Sequence, residues 1–350
     1  MKKIILVGCA ILLVGCNNTS TKKKETTQEV ITANNLRLVN NETEQKVAVY
    51  FGDDLFTEYL YVEDYYKPVL YPLITTSGKK LTRGYPIEPQ PGERVDHPHH
   101  VGLWLNFGDV NGYDFWNNSD AIPLEKKGGY GTVFHKSLII DENLGDLIAV
   151  SEWKAPDGTI LIEETTRFQF SQIGNNRIID RTSTLKAMDE VYLNDNKEGF
   201  LGIRVARALE LPSDKAEIFT DANGIASTVK VLNNEGVSGN YLSSEGIEGG
   251  AVWGTQARWM TLSGVMDEEP VAITIYDHVD NVGYPTYWHA RGYGLFAANP
   301  LGRKIFTNGA SELNIALPKG DQITFKYRIL IHNGVQQSVE EIESFANFLK

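Results

Sequence analysis

Apolar and polar residues alternate along most of this chain in short, strand-length runs, broken by clusters of Gly, Asp, Asn and Pro. Residues 46–51, the turn Gly52-Asp53-Asp54 and residues 55–61 predict a hairpin. Residues 68–73, a Ser77-Gly78 turn and residues 81–85 predict another. Runs at 147–153 and 159–170 flank Pro156-Asp157-Gly158, and Gly174-Asn175-Asn176 leads into a run at 177–185. Residues 200–208, 271–276 and 323–331 are strand-like as well. Helical periodicity is confined to the end of the chain. Ser338 and Glu341 form a capping-box pattern, and Val339, Ile342, Phe345, Ala346 and Leu349 mark one apolar face. There is no repeat of fixed period and no low-complexity linker. The pattern predicts an all-β fold over residues 31–350: one large antiparallel β-sandwich closed by a C-terminal helix. Two smaller β domains meeting near residue 190 are the alternative.

The first thirty residues stand outside this pattern. Lys2 and Lys3 precede an apolar run over residues 4–14 that is too short to span a bilayer. The run ends Leu13-Val14-Gly15-Cys16, which resembles the lipobox of bacterial lipoproteins, where the cysteine becomes the lipidated first residue. Leu6-Val7-Gly8-Cys9 has the same form but leaves too little apolar sequence before it. A plain secretory signal with an incidental cysteine is the bland alternative. Residues 1–16 are therefore expected to be a signal peptide, with Cys16 the site of lipidation. Residues 17–30, mostly Asn, Thr, Ser, Lys and Glu, are expected to be a flexible tether. The protein is expected in the cell envelope, anchored by lipid to the outer membrane and facing the periplasm or cell surface. Both cysteines then belong to the signal, which excludes disulfides, thiolate metal sites and cysteine nucleophiles from the folded part. A formal charge of -12 argues against nucleic acid or anionic lipid as partners and leaves the lipid as the only membrane contact.

Candidate chemistry is concentrated at Asp96-His97-Pro98-His99-His100, which holds three of the seven histidines of the chain. Neutral imidazole shuttles protons or binds metals, and a neighbouring carboxylate fixes its tautomer. Pro98 favours an extended path, in which His97 and His99 point to one side and His100 to the other. His97 and His99 are thus candidate ligands of a divalent metal, with His135 or His289 as a distant third; a turn packed by imidazoles is the bland alternative. Asn111 and Asp114 are suited to reading vicinal hydroxyls, and Trp104 and Trp116 to stacking on a sugar ring. An Asx-rich turn with its aromatics in the core accounts for that stretch equally well. Glu198 is a candidate general acid or base, while Arg83 and Arg204 are candidate anion or hydroxyl contacts. The glycine-flanked segment from Tyr284 to Pro300 carries His289, Arg291 and Asn299 and predicts a loop that shapes a pocket. There is no phosphate-cradling glycine loop, dinucleotide fingerprint or Gly-x-Ser-x-Gly elbow.

Together these motifs resemble the bacterial PmoA-like, or "methane oxygenase", family of unknown function. The matching pieces are Lys67 to Pro72, Thr82 to Pro86, Asp96 to His100, Gly108 to Trp116, Lys197-Glu198-Gly199, Trp253-Gly254 and Pro285 to Pro300. Many relatives carry Arg-Ser after the last histidine of the cluster, where Val101-Gly102 stands here, so any role of that arginine is missing or taken by another residue. The label does not fit a membrane-embedded oxygenase, since no segment after the signal would span a bilayer. The resemblance implies a part in carbohydrate use and a galactose-mutarotase-like supersandwich, in which histidines and carboxylates on the concave sheet act on sugars.

The sequence therefore predicts a lipid-anchored carbohydrate-active enzyme with no required cofactor. One of His97, His99 or His289 would be the general base, and a second histidine or Glu198 the general acid. Asp96 would orient an imidazole, and His100 would complete the cluster. Arg83, Arg204 and Arg291 would bind or polarise the sugar, and Asn111, Asp114, Trp104, Trp116 and Asn299 would hold it. Hydrolysis, elimination and epimerisation share these needs. A metal-dependent enzyme and a non-catalytic sugar-binding lipoprotein are the competing readings.

Overall fold

The computed structural model describes residues 30–31, 35–141 and 144–348, and two large sheets dominate it. The expected signal peptide, Cys16 and the tether up to residue 29 lie outside the described residues. Among the described residues no helix is long and apolar enough to cross a membrane.

The first sheet runs, edge to edge, Asn240–Ser243, Trp259–Met266, Glu269–Asp277, Gln322–Asn333, Asn176–Ala187, Ile160–Ile173, Asp146–Lys154 and Thr132–Asp141, with Val30–Ile31 pairing onto Ile160–Ile173. The second runs Tyr287–Ala290, Leu295–Asn299, Gly199–Arg204, Leu103–Phe107, Val69–Leu70, Asp54–Leu60, Lys46–Phe51 and Leu36–Asn41. Neighbouring strands are antiparallel throughout both. The expected antiparallel β-sandwich is therefore what the chain forms. Leu103, Leu105, Ile203 and Phe296 of the second sheet share one buried cluster with Ile179, Ile275, Phe325 and Ile329 of the first. Burying each such side chain contributes roughly 1.5–3 kcal/mol. This cluster is the core between the sheets.

The strand Leu103–Phe107 is buried at all five positions, so its other face is covered too. There Trp104, Trp116, Leu295 and Ala297 form a second cluster under the loops that cross the outside of the sheet. That covered outer face carries the candidate functional site. The C-terminal helix is short, Val339–Ser344, and its capping box is formed: Glu341 N–H donates to Ser338 Oγ at 3.2 Å and Ser338 N–H to Glu341 Oε2 at 2.7 Å. Ile342 packs with Phe348 on Trp259, Tyr276 and Leu330.

Two expectations need correction. The second hairpin reduces to Val69–Leu70 and an isolated bridge between Ile74 and Lys80. Pro68 and Pro72 flank that short strand and have no N–H to extend a ladder. The supposed pocket loop at 284–300 is largely a hairpin, with strands Tyr287–Ala290 and Leu295–Asn299 paired in register. Its Trp288 and Phe296 face the core, so burial fixes what the glycines and prolines suggested would be irregular.

Candidate functional site

Sheet register sets the scaffold. His289 pairs with Ala297, Ala297 with Gly202, and Gly202 with Trp104, so one row crosses four strands on the outer face. A Cβ on Gly202 would come within 2.8 Å of both Trp104 and Trp116, so the glycine is what lets the two indoles lie against the strand. His100 stacks on Trp104 at 5.4 Å between ring centres.

The Asp96 to His100 segment is a turn, not an extended strand. His97 has φ 45°, and His100 N–H donates to the His97 carbonyl at 2.9 Å. The cause is Arg83, which is 2% exposed. Its guanidinium donates to the carbonyls of Asp96 (2.8 Å), His97 (2.9 Å) and His100 (3.1 Å) and so draws the segment around itself. Buried Lys67 holds the remaining corner, its Nζ donating to the His99 carbonyl at 2.8 Å. Desolvation lowers the Lys67 ammonium to about 7. In this turn His97 lies parallel to His100, 4.9 Å between centres and 3° between planes, whereas His97 and His99 stand at 78°. His97 and His99 lie edge to face at 5.6 Å, and His100, expected to point the other way, joins them in one cluster.

The hydrogen bonds fix two tautomers. His97 Nδ1 donates to Asp96 Oδ2 at 2.7 Å, and Asp96 Oδ1 accepts from Arg83 at 2.9 Å and Arg204 at 2.6 Å. Burial opposes ionisation of Asp96, but Arg204, the His97 hydrogen bond and Arg83 outweigh it and hold the carboxyl well below the usual carboxylate range. His289 Nδ1 donates to the Lys197 carbonyl at 2.8 Å. Among the described residues each ring is left with Nε2 unengaged. In His100 the pattern reverses: Arg204 Nη1 donates to Nδ1 at 3.3 Å, so the proton is on Nε2. Desolvation is the main force keeping His99, His100 and His289 neutral. It lowers His99 to about 2 and His289 to about 4, and depresses buried His100 as well.

Asp96, His97, His99, His100, Glu198 and His289 all line one cavity of about 930 Å³. Glu198 pairs with Lys197, and its Oε2 is 3.9 Å from His289 Nδ1. Every acid-base residue expected from sequence is thus brought together. Of the expected substrate contacts, only Arg291 lines the cavity. Arg83 and Arg204 are buried behind it, bound to Asp96. Trp104 and Trp116 have no exposed surface and serve as the packed base beneath His100, not as stacking faces for a sugar. Asn111 closes a turn: its amide accepts from Tyr192 N–H and donates to the Glu190 carbonyl. Asp114 accepts from the N–H groups of Trp116 and Asn117, and so seats Asn117, which does line the cavity. Asn299 donates to the carbonyls of Asn196 and Lys197 and so positions the loop carrying Glu198.

His135 is absent from the cavity. It lies on the other sheet, packed against the tilted Tyr61 ring at 4.2 Å and hydrogen-bonded to the Tyr59 hydroxyl. Among the described residues no three His, Cys, Asp or Glu side chains converge as a metal site requires. His97 and His99 therefore gain no third ligand of this kind.

Among the wall residues not foreseen, Tyr293 lies nearest the histidine cluster. Tyr293 stands in the hairpin loop between Ala290 and Leu295, parallel to His97 at 4.9 Å and 5°. Gly294, at φ 90°, makes the turn that places it, and the buried Tyr241 hydroxyl pins the loop by donating to the Leu295 carbonyl at 3.0 Å. The glycines on both sides of Tyr293 were the available signal.

The fold has partial counterparts among solved structures. A GH36 α-galactosidase from Geobacillus stearothermophilus aligns with 86% of this chain at 9% identity and a TM-score of 0.38. An α-galactosidase from Lactobacillus brevis covers 87% at 10% identity and 0.33. The chain spans 41% and 40% of those two proteins, respectively. A candidate aldose 1-epimerase from Escherichia coli K12 covers 86% of this chain and 99% of its own at 8% identity and 0.34. No curated protein sequence matches the chain. Residues 46–347, which include the whole cavity, match a family of unknown function, and the chain accordingly belongs to that family, DUF6807.

Proposed function

We propose that this protein is a lipid-anchored carbohydrate-active enzyme of the bacterial envelope, working on a glycoside or modified sugar by proton transfer. Cys16 would carry the lipid. The observation that carries the reading is the pair His97 and His289. Both line one cavity, both commit Nδ1–H to an internal acceptor, and both leave Nε2 without a partner among the described residues. A neutral imidazole held this way is a base at Nε2. In this reading Asp96 fixes the tautomer of His97 and stabilises the imidazolium formed when His97 takes a proton from a sugar hydroxyl or C–H. Lys197 carbonyl and Glu198 do the same for His289. Tyr293 provides an aromatic face beside His97.

Asp96 is tied to two guanidinium groups and remains ionised, so it is not the proton donor that a two-carboxylate glycosidase needs. This favours elimination or epimerisation over that form of hydrolysis. The test is a turnover screen of the full chain in detergent on a panel of glycosides, with His97→Ala and His289→Ala beside it. Turnover should fall by about 10²–10⁴ in each variant. Sugar binding without turnover by the parent would make the protein a carrier instead; neither binding nor turnover would sink the carbohydrate reading.

A further inference from the structure

The charges around the cavity pair off almost completely. Asp96 is neutralised by Arg83 and Arg204, Glu198 by Lys197, and Arg94 by Glu210, its Nε 2.6 Å from the carboxylate. Lys215, exposed at the rim, has no ion pair among the described residues and no aromatic ring to hold it. Arg291 is different. It lines the cavity and is exposed, and among the described residues it has neither a carboxylate partner nor a hydrogen bond from its guanidinium. It is also held in place: the guanidinium lies 5.5 Å from the Trp253 ring centre and 5.8 Å from that of Tyr293. Stacking uses the faces of the guanidinium plane and leaves its N–H edge available. Arg204 approaches the same Tyr293 ring at 5.0 Å but is buried and bound to Asp96 and His100.

From this unpaired, aromatic-held guanidinium beside His289 we infer that the substrate is an anionic sugar whose oxyanion, a carboxylate or a sulfate, is bound by Arg291. The inference rests on the carbohydrate reading above. A planar fork binds such an oxyanion through two parallel N–H donors. The formal charge of -12 repels an anionic glycan at long range, but salt screens that repulsion beyond about 8 Å, so the local cation decides.

The test is an array of neutral, uronate-bearing and sulfated oligosaccharides probed with the full chain in detergent, and with Arg291→Gln and Arg291→Lys. The expected result is selective retention of one anionic class, weakened about ten- to hundredfold in Arg291→Gln and only partly restored by lysine. The uronate and sulfate arms identify which oxyanion is bound. Equal retention of neutral and anionic glycans, or anionic binding indifferent to Arg291→Gln, overturns the inference and leaves the carbohydrate reading standing. Retention of no glycan overturns both.

Discussion

Arg83 shows how a residue with functional chemistry can serve a structural end. Its guanidinium is buried, and the carbonyls of Asp96, His97 and His100 converge on it. Removing one partner of such a buried, hydrogen-bonded set leaves polar groups without compensation, which typically costs about 3–5 kcal/mol. Arg83→Met should therefore lower the unfolding free energy by that amount and release the His97 turn, measurable by equilibrium unfolding in urea. A substrate-binding arginine would instead leave stability unchanged. Arg291, exposed and without an ion pair among the described residues, is the counterexample in the cavity wall. In sequence the two looked alike; burial separates them.

At the level of elements, the row from His289 through Ala297 and Gly202 to Trp104 is the backbone of the site. Gly202 is its narrow point. Trp104 and Trp116 are fully buried and cannot retreat from an added Cβ at 2.8 Å. Gly202→Ala should destabilise the protein by about 1–3 kcal/mol through overpacking. It should also disturb His100, which rests on Trp104. Thermal unfolding and near-ultraviolet circular dichroism would read both effects; an unchanged aromatic spectrum would count against this packing. The strands around Gly202 were visible as apolar runs, and residues 46–51, 147–153, 177–185 and 323–331 all lie in the strands that form. The 68–85 hairpin was misread because apolar content there outweighed the prolines that interrupt the ladder.

For the molecule as a whole, burial of ionisable groups makes stability depend on pH in two opposing ways. His289 is lowered from 6.5 to about 4, chiefly by desolvation. Between those values the unfolded chain binds the extra proton, so the stability His289 contributes is present above 6.5 and lost as pH falls toward 4. Asp277 is raised from 3.8 to about 7, again chiefly by desolvation. It has the opposite sign: its contribution is present at acid pH and lost as pH rises through that window. The net curve mixes the two, and a single variant separates them. His289→Asn keeps a donor for the Lys197 carbonyl but cannot titrate. Between about pH 7 and about pH 4.5 the parent should lose about 2–3 kcal/mol more stability than this variant. Parallel pH profiles in chemical denaturation would mean that His289 is not held neutral by the fold.

The sequence by itself determined that the chain is built of antiparallel strands, because alternation and turn residues act over a few neighbours. It also determined where the acid-base groups are, because three histidines and an aspartate within five positions are a local fact. It did not determine which polar and aromatic residues meet a ligand. Trp104, Trp116, Arg83 and Arg204 are of the right types but lie beneath the site, while Tyr293 forms a wall of the cavity. That division depends on strand register, on which sheet face is roofed by loops, and on pairings such as Arg204 with Asp96 across 108 positions of chain. Only the tertiary structure brings those partners together, and it decides which charges are consumed inside the protein and which, like Arg291, have no carboxylate partner among the described residues.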